Sequence, residues 1–530
     1  MNASPETAHA ASLATDITLD GLFRRAFSVF ADRTAVTWLD GTRRYGEVGQ
    51  RAWRLANALH ARGHRRGDVI AVLSETRPEY IECYAALAAL GVTVATLNIR
   101  LHPNELAACL RKCRPHALIV SGALASVADT LRAGAPDIRE WIAFDMTDVA
   151  DGVTGFEDYE ALLQASSPEP PPRVACGSDI HNILFTSGTT GAPKGALISQ
   201  RAAATRGLRL AQWFGLTEND GFIGWLPLFH CGGDESLYAT FLTGGIYATF
   251  ARADVTQMFR LIERDRLSWT LLLPGVITDF LNHPQRAAHD LSSLRFAIGY
   301  ANMMPQVIRD LTAACAIDFY DAFGQSEVSY LLAHRRSGPG EMPSLRKLPS
   351  PLLEIRIVDD EMNDLPVGQP GECVVRGPSA MSGYLDDDAA NAEVFRGGWL
   401  HTGDLLRRED DGTLSFVDRK RYLIKTGGEN VYPAEVEAVI GLHPAVQEVC
   451  VFGVPDARWG ETIKAVLVLR PGRMADGADI GAWCREHLAG YKRPRYLQFV
   501  RSEELPRSTT GKLQRHALAR LPLNEDQRVD

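Results

Sequence analysis

The sequence predicts an α/β protein: a large N-terminal domain of two βα-layered subdomains plus a small β-barrel-like subdomain, followed by a small C-terminal α+β domain. Three observations carry this. The chain has 530 residues, beyond the size at which one hydrophobic core keeps growing. Its first 170 or so residues alternate helical stretches with short apolar runs, the pattern of a parallel sheet covered by helices. From about residue 350 the pattern changes to short alternating strands separated by Gly and Asp-Gly turns.

In order along the chain, Asp68 to Leu73 and Ala117 to Val120 are the first apolar strand candidates. A proline-rich break, Ser167 to Pro172, separates them from a second βα run in which Trp269 to Leu273 and Leu294 to Ile298 read as buried strands. Glu354 to Val358 and Gly371 to Val375 belong to the barrel-like sheet. A compact unit then begins. Pro433 opens a helix with Val436, Val439 and Ile440 on one face, and Gly441 stops it. Strands at Val446 to Val454 and Ala465 to Leu469 follow, and Asp479 is expected to cap a helix carrying Ile480, Trp483, Cys484 and Leu488. The expected domains are 1–420 and 421–530, the second long enough to fold separately.

Composition is that of an ordinary globular protein, 45% apolar and 23% charged. A net charge of −9 argues against nucleic acid as a partner. No run approaches the roughly 20 apolar residues of an integral membrane span. The N-terminus carries acids and no basic region before an apolar run, unlike a secretory signal, so a cytoplasmic enzyme is expected. Nine scattered cysteines read as reduced core thiols, Cys109 and Cys113 lacking a second pair, and no transition-metal site is expected. Only eight lysines stand against 48 arginines, and Lys194, Lys420, Lys425, Lys492 and Lys512 all fall in motif segments. A mobile point charge is wanted there instead of a planar fork.

Residues 185 to 195 read FTSGTTGAPKG. Glycines bring backbone N–H groups close to anionic oxygens, hydroxyls add donors, and Lys194 adds a compact positive charge, the composition of a phosphate-gripping loop. It is not a Walker loop, because Pro193 precedes the lysine and Gly195 follows it. Gly195 to Ile198 reads as a strand, so a β-loop-β hairpin is expected.

With LPLFH at 226–230, DAFGQSE at 321–327, GECVVRGPSAMSGY at 371–384, WLHTGD at 399–404, VDRKRYLIKTGGENVYPAEVE at 417–437, YKRPR at 491–495 and LPRSTTGKLQR at 505–515, the chain resembles the adenylate-forming acyl-CoA synthetase superfamily over nearly its whole length. The resemblance implies a ligase of the benzoate- or coumarate-CoA type, using ATP, Mg2+ and coenzyme A. A monocarboxylic acid would displace pyrophosphate from ATP, and the CoA thiol would then displace AMP from the acyl adenylate.

By the same resemblance, Thr186, Ser187, Gly188, Thr189, Thr190, Gly191 and Lys194 form the triphosphate loop, and Thr190 with Glu327 is Mg2+-associated. Asp404 and Arg419 hold the ribose, Asp321 lies near the adenine amino group, Phe323 stands where a stacking Tyr is usual, and Ser326 replaces a Thr at the α-phosphate. Lys512 bridges the carboxylate and the α-phosphate. The small domain would be mobile about Arg421, a position usually Asp or Lys. Gly427, Gly428, Glu429 and Asn430 line the pantetheine path, Lys425 is a further cofactor-binding candidate, and Tyr491, Arg493 and Arg495 receive the CoA nucleotide.

His230 matches a histidine near the substrate carboxylate; amino-acid-activating relatives place Asp there, although Asp234 or Glu235 could serve in another loop arrangement. Gly299, Tyr300, Ala301, Ala322 and Gly324 are expected to line the acyl pocket, where Tyr300 in place of a glycine and Phe323 favour a compact aromatic or alicyclic acid. The alternatives are a medium- or long-chain fatty acyl-CoA synthetase and an enzyme loading a carrier protein; YKRPR, with no carrier domain after residue 530, favours free CoA. A homodimer is a candidate assembly, and the acid itself and the pathway are not set by the sequence.

Overall fold

The structure, a computed structural model, describes residues 15–186, 193–272, 274–300, 305–334, 336–343, 346–426, 429–456, 458–507, 513–519 and 528–529. The chain forms two compact units. One takes the residues up to Glu354 together with Arg376–Leu400; the other takes Ile355–Val375 and the residues from His401 onward.

The first unit contains two sheets. One runs in the spatial order Gly383–Tyr384, Lys194–Ser199, Ile180–Thr186, Thr93–Thr96, Val69–Leu73, Ala117–Ser121, Glu140–Phe144, Glu157–Asp158. Its strands from Ile180–Thr186 through to Glu157–Asp158 pair in parallel, as the βα alternation predicts. The helix Pro78–Leu90 behind it is buried at every position, and Gly91 in the left-handed region (φ 64°) ends it. That fits a sequence whose apolar residues are not confined to one stripe, its two acids Glu79 and Glu82 being paired with Arg43 and Arg51.

The second sheet follows the order Gly41–Arg44, Thr34–Trp38, Ile246–Thr249, Gly221–Gly224, Trp269–Leu272, Phe296–Tyr300, Asp318–Gln325, Ser329–His334, Lys347–Pro349. Its central strands, from Thr34–Trp38 to Asp318–Gln325, pair in parallel. The two βα-layered subdomains of the prediction are therefore both present.

In the second unit the strands Glu354–Val358, Pro370–Arg376, Leu400–Arg408 and Leu414–Arg419 lie in that order. The Asp411-Gly412 turn joins the last pair, with Gly412 at φ 80°. A further sheet holds the long antiparallel pair Val446–Asp456 and Gly460–Leu469, with Ile424–Thr426, Glu429–Val431 and the parallel strand Tyr496–Phe499. Helices Pro433–Gly441 and Gly477–His487 pack Val436, Ile440, Ile480 and Cys484 on one face of it. Two details differ from expectation. Asp476, not Asp479, caps the second helix, because its carboxylate accepts from the N–H groups of Ala478 and Asp479 while Asp479 reaches back to Asp476 N–H. Gly441 is the last residue of the first helix instead of the residue that stops it.

Candidate active site

The loop's flanks do form an antiparallel hairpin, with Thr186 opposite Lys194 and Phe185 opposite Gly195. Ser187, Gly188, Thr189, Thr190 and Gly191 lie outside the described residues. Thr186 Oγ1 donates to the Lys194 carbonyl at 3.4 Å. The strand Lys194–Ser199 pairs in turn with Gly383–Tyr384, which sets Tyr384 opposite Ala196. This register brings the Lys194 ammonium 4.9 Å from the centre of the Tyr384 ring. The Tyr384 hydroxyl donates to Glu327 Oε1 at 2.8 Å, so one phenol touches both a phosphate-loop lysine and a proposed Mg2+-associated carboxylate.

DAFGQSE occupies the end of the strand Asp318–Gln325 and the turn after it. Gly324 is required there: a Cβ would lie 2.2 Å from the Ser329 carbonyl oxygen. Ser326 is anchored from below by Arg206, whose guanidinium donates to the carbonyls of Ser326 (3.1 Å) and Ser379 (2.9 Å) and pairs with Glu235 at 3.2 Å. Arg206 and Glu235 are both almost fully buried, so the pair supplies each charge with the partner that desolvation demands. Ala322 lies opposite Tyr300 and Gly299 opposite Asp321 in the parallel register, which puts three pocket candidates, Gly299, Tyr300 and Ala322, on neighbouring strands. Ala301 and the Tyr300 side chain lie outside what is described.

The Asp321 carboxylate is sealed from solvent and sits 2.8 Å from the buried Lys347 ammonium. Burial outweighs that lysine and raises its pKa. Phe323, two residues on, is half-buried.

His230 caps the helix Cys231–Thr243: Nδ1 accepts from Gly232 N–H at 3.1 Å. An accepting Nδ1 leaves the proton of a neutral ring on Nε2, a donor suited to a carboxylate. Gly233 lets the helix start this tightly, since a Cβ would lie 2.2 Å from the Pro227 carbonyl oxygen. Cys231 Sγ lies 3.8 Å from both His230 Nδ1 and Ser326 Oγ, linking LPLFH to DAFGQSE. Desolvation, reinforced by the charges of Glu235 and Asp234, pushes the Cys231 thiol up to about 12, so it is a neutral spacer. Asp234 accepts from Asn182 at 2.7 Å and from Tyr238 at 3.3 Å, and burial beside Glu235 raises its pKa well above the ordinary value. Neither acid is presented to a substrate ammonium.

In the second unit, the register of Leu400–Arg408 and Leu414–Arg419 sets Asp404 opposite Arg419, with Nε and Oδ1 2.7 Å apart. The two ribose candidates are thus neighbours. Arg421 is exposed and bonds the Tyr422 hydroxyl at 2.8 Å. Lys425, Glu429 and Asn430 form one exposed hairpin, with Lys425 opposite Asn430; Gly427 and Gly428 lie outside the described residues. The YKRPR candidates diverge. Tyr491 is exposed, but Arg493 donates to the carbonyls of Leu488 (2.9 Å) and Arg485 (3.2 Å) at the end of the preceding helix, and Arg495 stacks 5.2 Å over Trp459. Lys512 lies outside the described residues; its flanks are set by the pairing of Arg507 with Leu513.

Sequence reasoning missed Tyr384, Cys231, Arg206 and Lys347. Tyr384 had a signal, because it closes the GECVVRGPSAMSGY motif; the others act through contacts between distant segments.

Residues 23–385 match the AMP-binding enzyme family and residues 435–512 match the AMP-binding enzyme C-terminal domain. The chain belongs to this adenylate-forming family. It is 32% identical to an indoleacetate–CoA ligase of Aromatoleum aromaticum over 92% of this chain and 95% of the relative, and 32% identical to a feruloyl-CoA synthase of an Amycolatopsis species over 88% and 92%. Its fold is similar to the crystal structure of an anthranilate CoA ligase in complex with anthranoyl-AMP, with TM-score 0.83 and 27% identity, covering 95% of this chain and 96% of the other. No helix among the described residues is long and apolar enough to cross a membrane.

Proposed function

We propose that this chain is an AMP-forming acid–CoA ligase whose substrate is a monocarboxylic acid bearing an aromatic or alicyclic ring. The acid's carboxylate attacks the α-phosphorus of ATP and expels pyrophosphate; the CoA thiol then attacks the acyl carbon and expels AMP. The observation that carries the reading is the pair of contact paths Thr186–Lys194–Tyr384–Glu327 and Ser326–Cys231–His230, which join phosphate-loop, DAFGQSE and LPLFH residues. Lys194 takes the leaving pyrophosphate, Ser326 the α-phosphate and His230 Nε2 the carboxylate. Glu327, with Thr190, would hold Mg2+, which would supply charge neutralisation where the anions meet. Asp404 and Arg419 take the ribose, Phe323 the adenine face and Lys512 the bridging position.

The relatives named for indoleacetate and feruloyl substrates support a ring-bearing acid over a long alkyl chain. A mobile domain of 421–530 turning about Arg421, with Gly427, Gly428, Lys425 and Tyr491 toward CoA, completes the proposal for a cytoplasmic enzyme. Arg493 and Arg495 serve CoA only if they leave the helix end and Trp459.

Pyrophosphate release measured against benzoate-like, cinnamate-like and octanoate-to-palmitate acids, with and without CoA, tests it. Preference for palmitate would overturn the ring assignment, and absence of an acyl-CoA product would overturn the ligase. Lys512→Ala is expected to abolish acid-dependent ATP–pyrophosphate exchange.

A further inference from the structure

The amino ends of the strands Val69–Leu73, Ala117–Ser121 and Glu140–Phe144 gather a group of side chains that the ligase reaction does not use. Ile70 is opposite Ala117 and Ala117 opposite Glu140, so the residues just before these positions fall together. His64, Asp68 and His116 each offer one ligand atom, and these atoms all lie within 4.8 Å of one another. We propose that His64, Asp68 and His116 form a structural zinc site at this edge of the sheet.

Two imidazoles and one carboxylate are a ligand set suited to Zn2+. His116 Nδ1 and Asp68 Oδ1 are 3.4 Å apart, close to the ~3.3 Å edge of a tetrahedron with bonds of about 2.0 Å. The ligands are also held from outside. Asp68 Oδ2 accepts from Arg65 N–H at 2.7 Å, and Glu140 Oε1, which is not one of the three, sits 3.2 Å from His64 Nε2. A carboxylate behind a ligating imidazole fixes its ring and raises its basicity. Three nearby guanidinium groups have other partners: Arg62 pairs with Glu140 and Glu157, Arg65 donates to the carbonyls of His60 and His64, and Arg114 pairs with Asp386. A cavity of about 360 Å3, lined by Asp68, His116, Asp137 and Cys113 and also by Arg114 and Arg139, gives an ion a path in and room for a water as fourth ligand.

This is not the nucleotide site. The phosphate loop follows the carboxyl end of Ile180–Thr186 in sequence, and that strand and Val69–Leu73 both run parallel to Thr93–Thr96, so the cluster lies at the opposite, amino ends of the strands. Zinc here would tie the segment after the helix Tyr45–Ala61 to two strand starts.

The test uses the full chain, stripped with chelator, then dialysed against micromolar Zn2+ with excess Mg2+. One zinc per chain by elemental analysis and a higher melting temperature are expected. His116→Ala and Asp68→Asn, at partly exposed positions, should each reduce bound zinc below about 0.2 per chain while leaving pyrophosphate release intact. Co2+ in place of zinc should give the visible absorption of a tetrahedral nitrogen–oxygen site. Less than stoichiometric zinc on the wild-type chain, or zinc retained equally by both variants, overturns the proposal.

Discussion

Replacing Tyr384 by Phe removes one hydrogen bond and keeps the ring that faces the Lys194 ammonium. The lost bond runs 2.8 Å from a phenol to a carboxylate, and bonds to charged groups contribute about 1.5–3 kcal/mol. Glu327 is half-buried, so water can partly replace the hydroxyl, and about 1 kcal/mol is the expected net loss. That corresponds to roughly a fivefold decrease in kcat/KM for MgATP. Tyr384→Leu also removes the cation–π contact, worth about 0.5–1 kcal/mol, for a combined tenfold to thirtyfold decrease. The assay is acid-dependent ATP–pyrophosphate exchange across a Mg2+ titration, and the Phe variant should require more Mg2+. The thioester step, started from preformed acyl adenylate, should be nearly unchanged. An unaltered Mg2+ requirement, or equal loss in both half-reactions, would refute the idea that Tyr384 positions Glu327.

Arg206→Met removes the ion-pair partner of buried Glu235, which keeps the Ser329 hydroxyl and the charge of buried Arg209, and should cost about 3 kcal/mol, seen as a clear drop in melting temperature; Arg206→Met with Glu235→Met should recover only part of it, because Arg209 then loses its acid, and an unchanged melting temperature in the single variant would count against the ion pair. Burial of Glu372 works to raise its pKa, but its contacts with Lys420 (3.0 Å) and His401 (3.2 Å) outweigh this and hold it below the ordinary 4.5. The stability it contributes is present above that value and lost as pH falls through the lower folded value, so the gap between wild type and Glu372→Gln should close in acid; a pH-independent gap in urea titrations would contradict this. With its thiol pushed up to about 12, Cys231 has only about one thiolate in ten thousand at pH 8, and peptide mass spectrometry should find it alkylated far more slowly than a free cysteine.

Much of the scaffold was legible because it rests on local patterns. Period-two and buried apolar runs marked the strands, and Pro193 and Gly195 separated a hairpin from a strand-to-helix phosphate loop, as the pairing of Phe185 with Gly195 bears out. Where the reading slipped, two local choices were nearly equivalent. Asp476 and Asp479 are both good helix caps, and the reciprocal bonds between them decide which one caps. The grouping of His64, Asp68 and His116 is not local either: His64 and Asp68 are close in sequence, but His116 reaches them only through the register of parallel strands.

The sequence by itself determined the family and the reaction class, because motifs of this kind depend on residue types at fixed local spacing. Only the tertiary structure decided that Tyr384 joins Lys194 to Glu327, that Cys231 separates His230 from Ser326, and that Asp321 is committed to Lys347. Those contacts connect segments tens to well over a hundred residues apart. Strand register and burial set them, and neither is encoded at any single position.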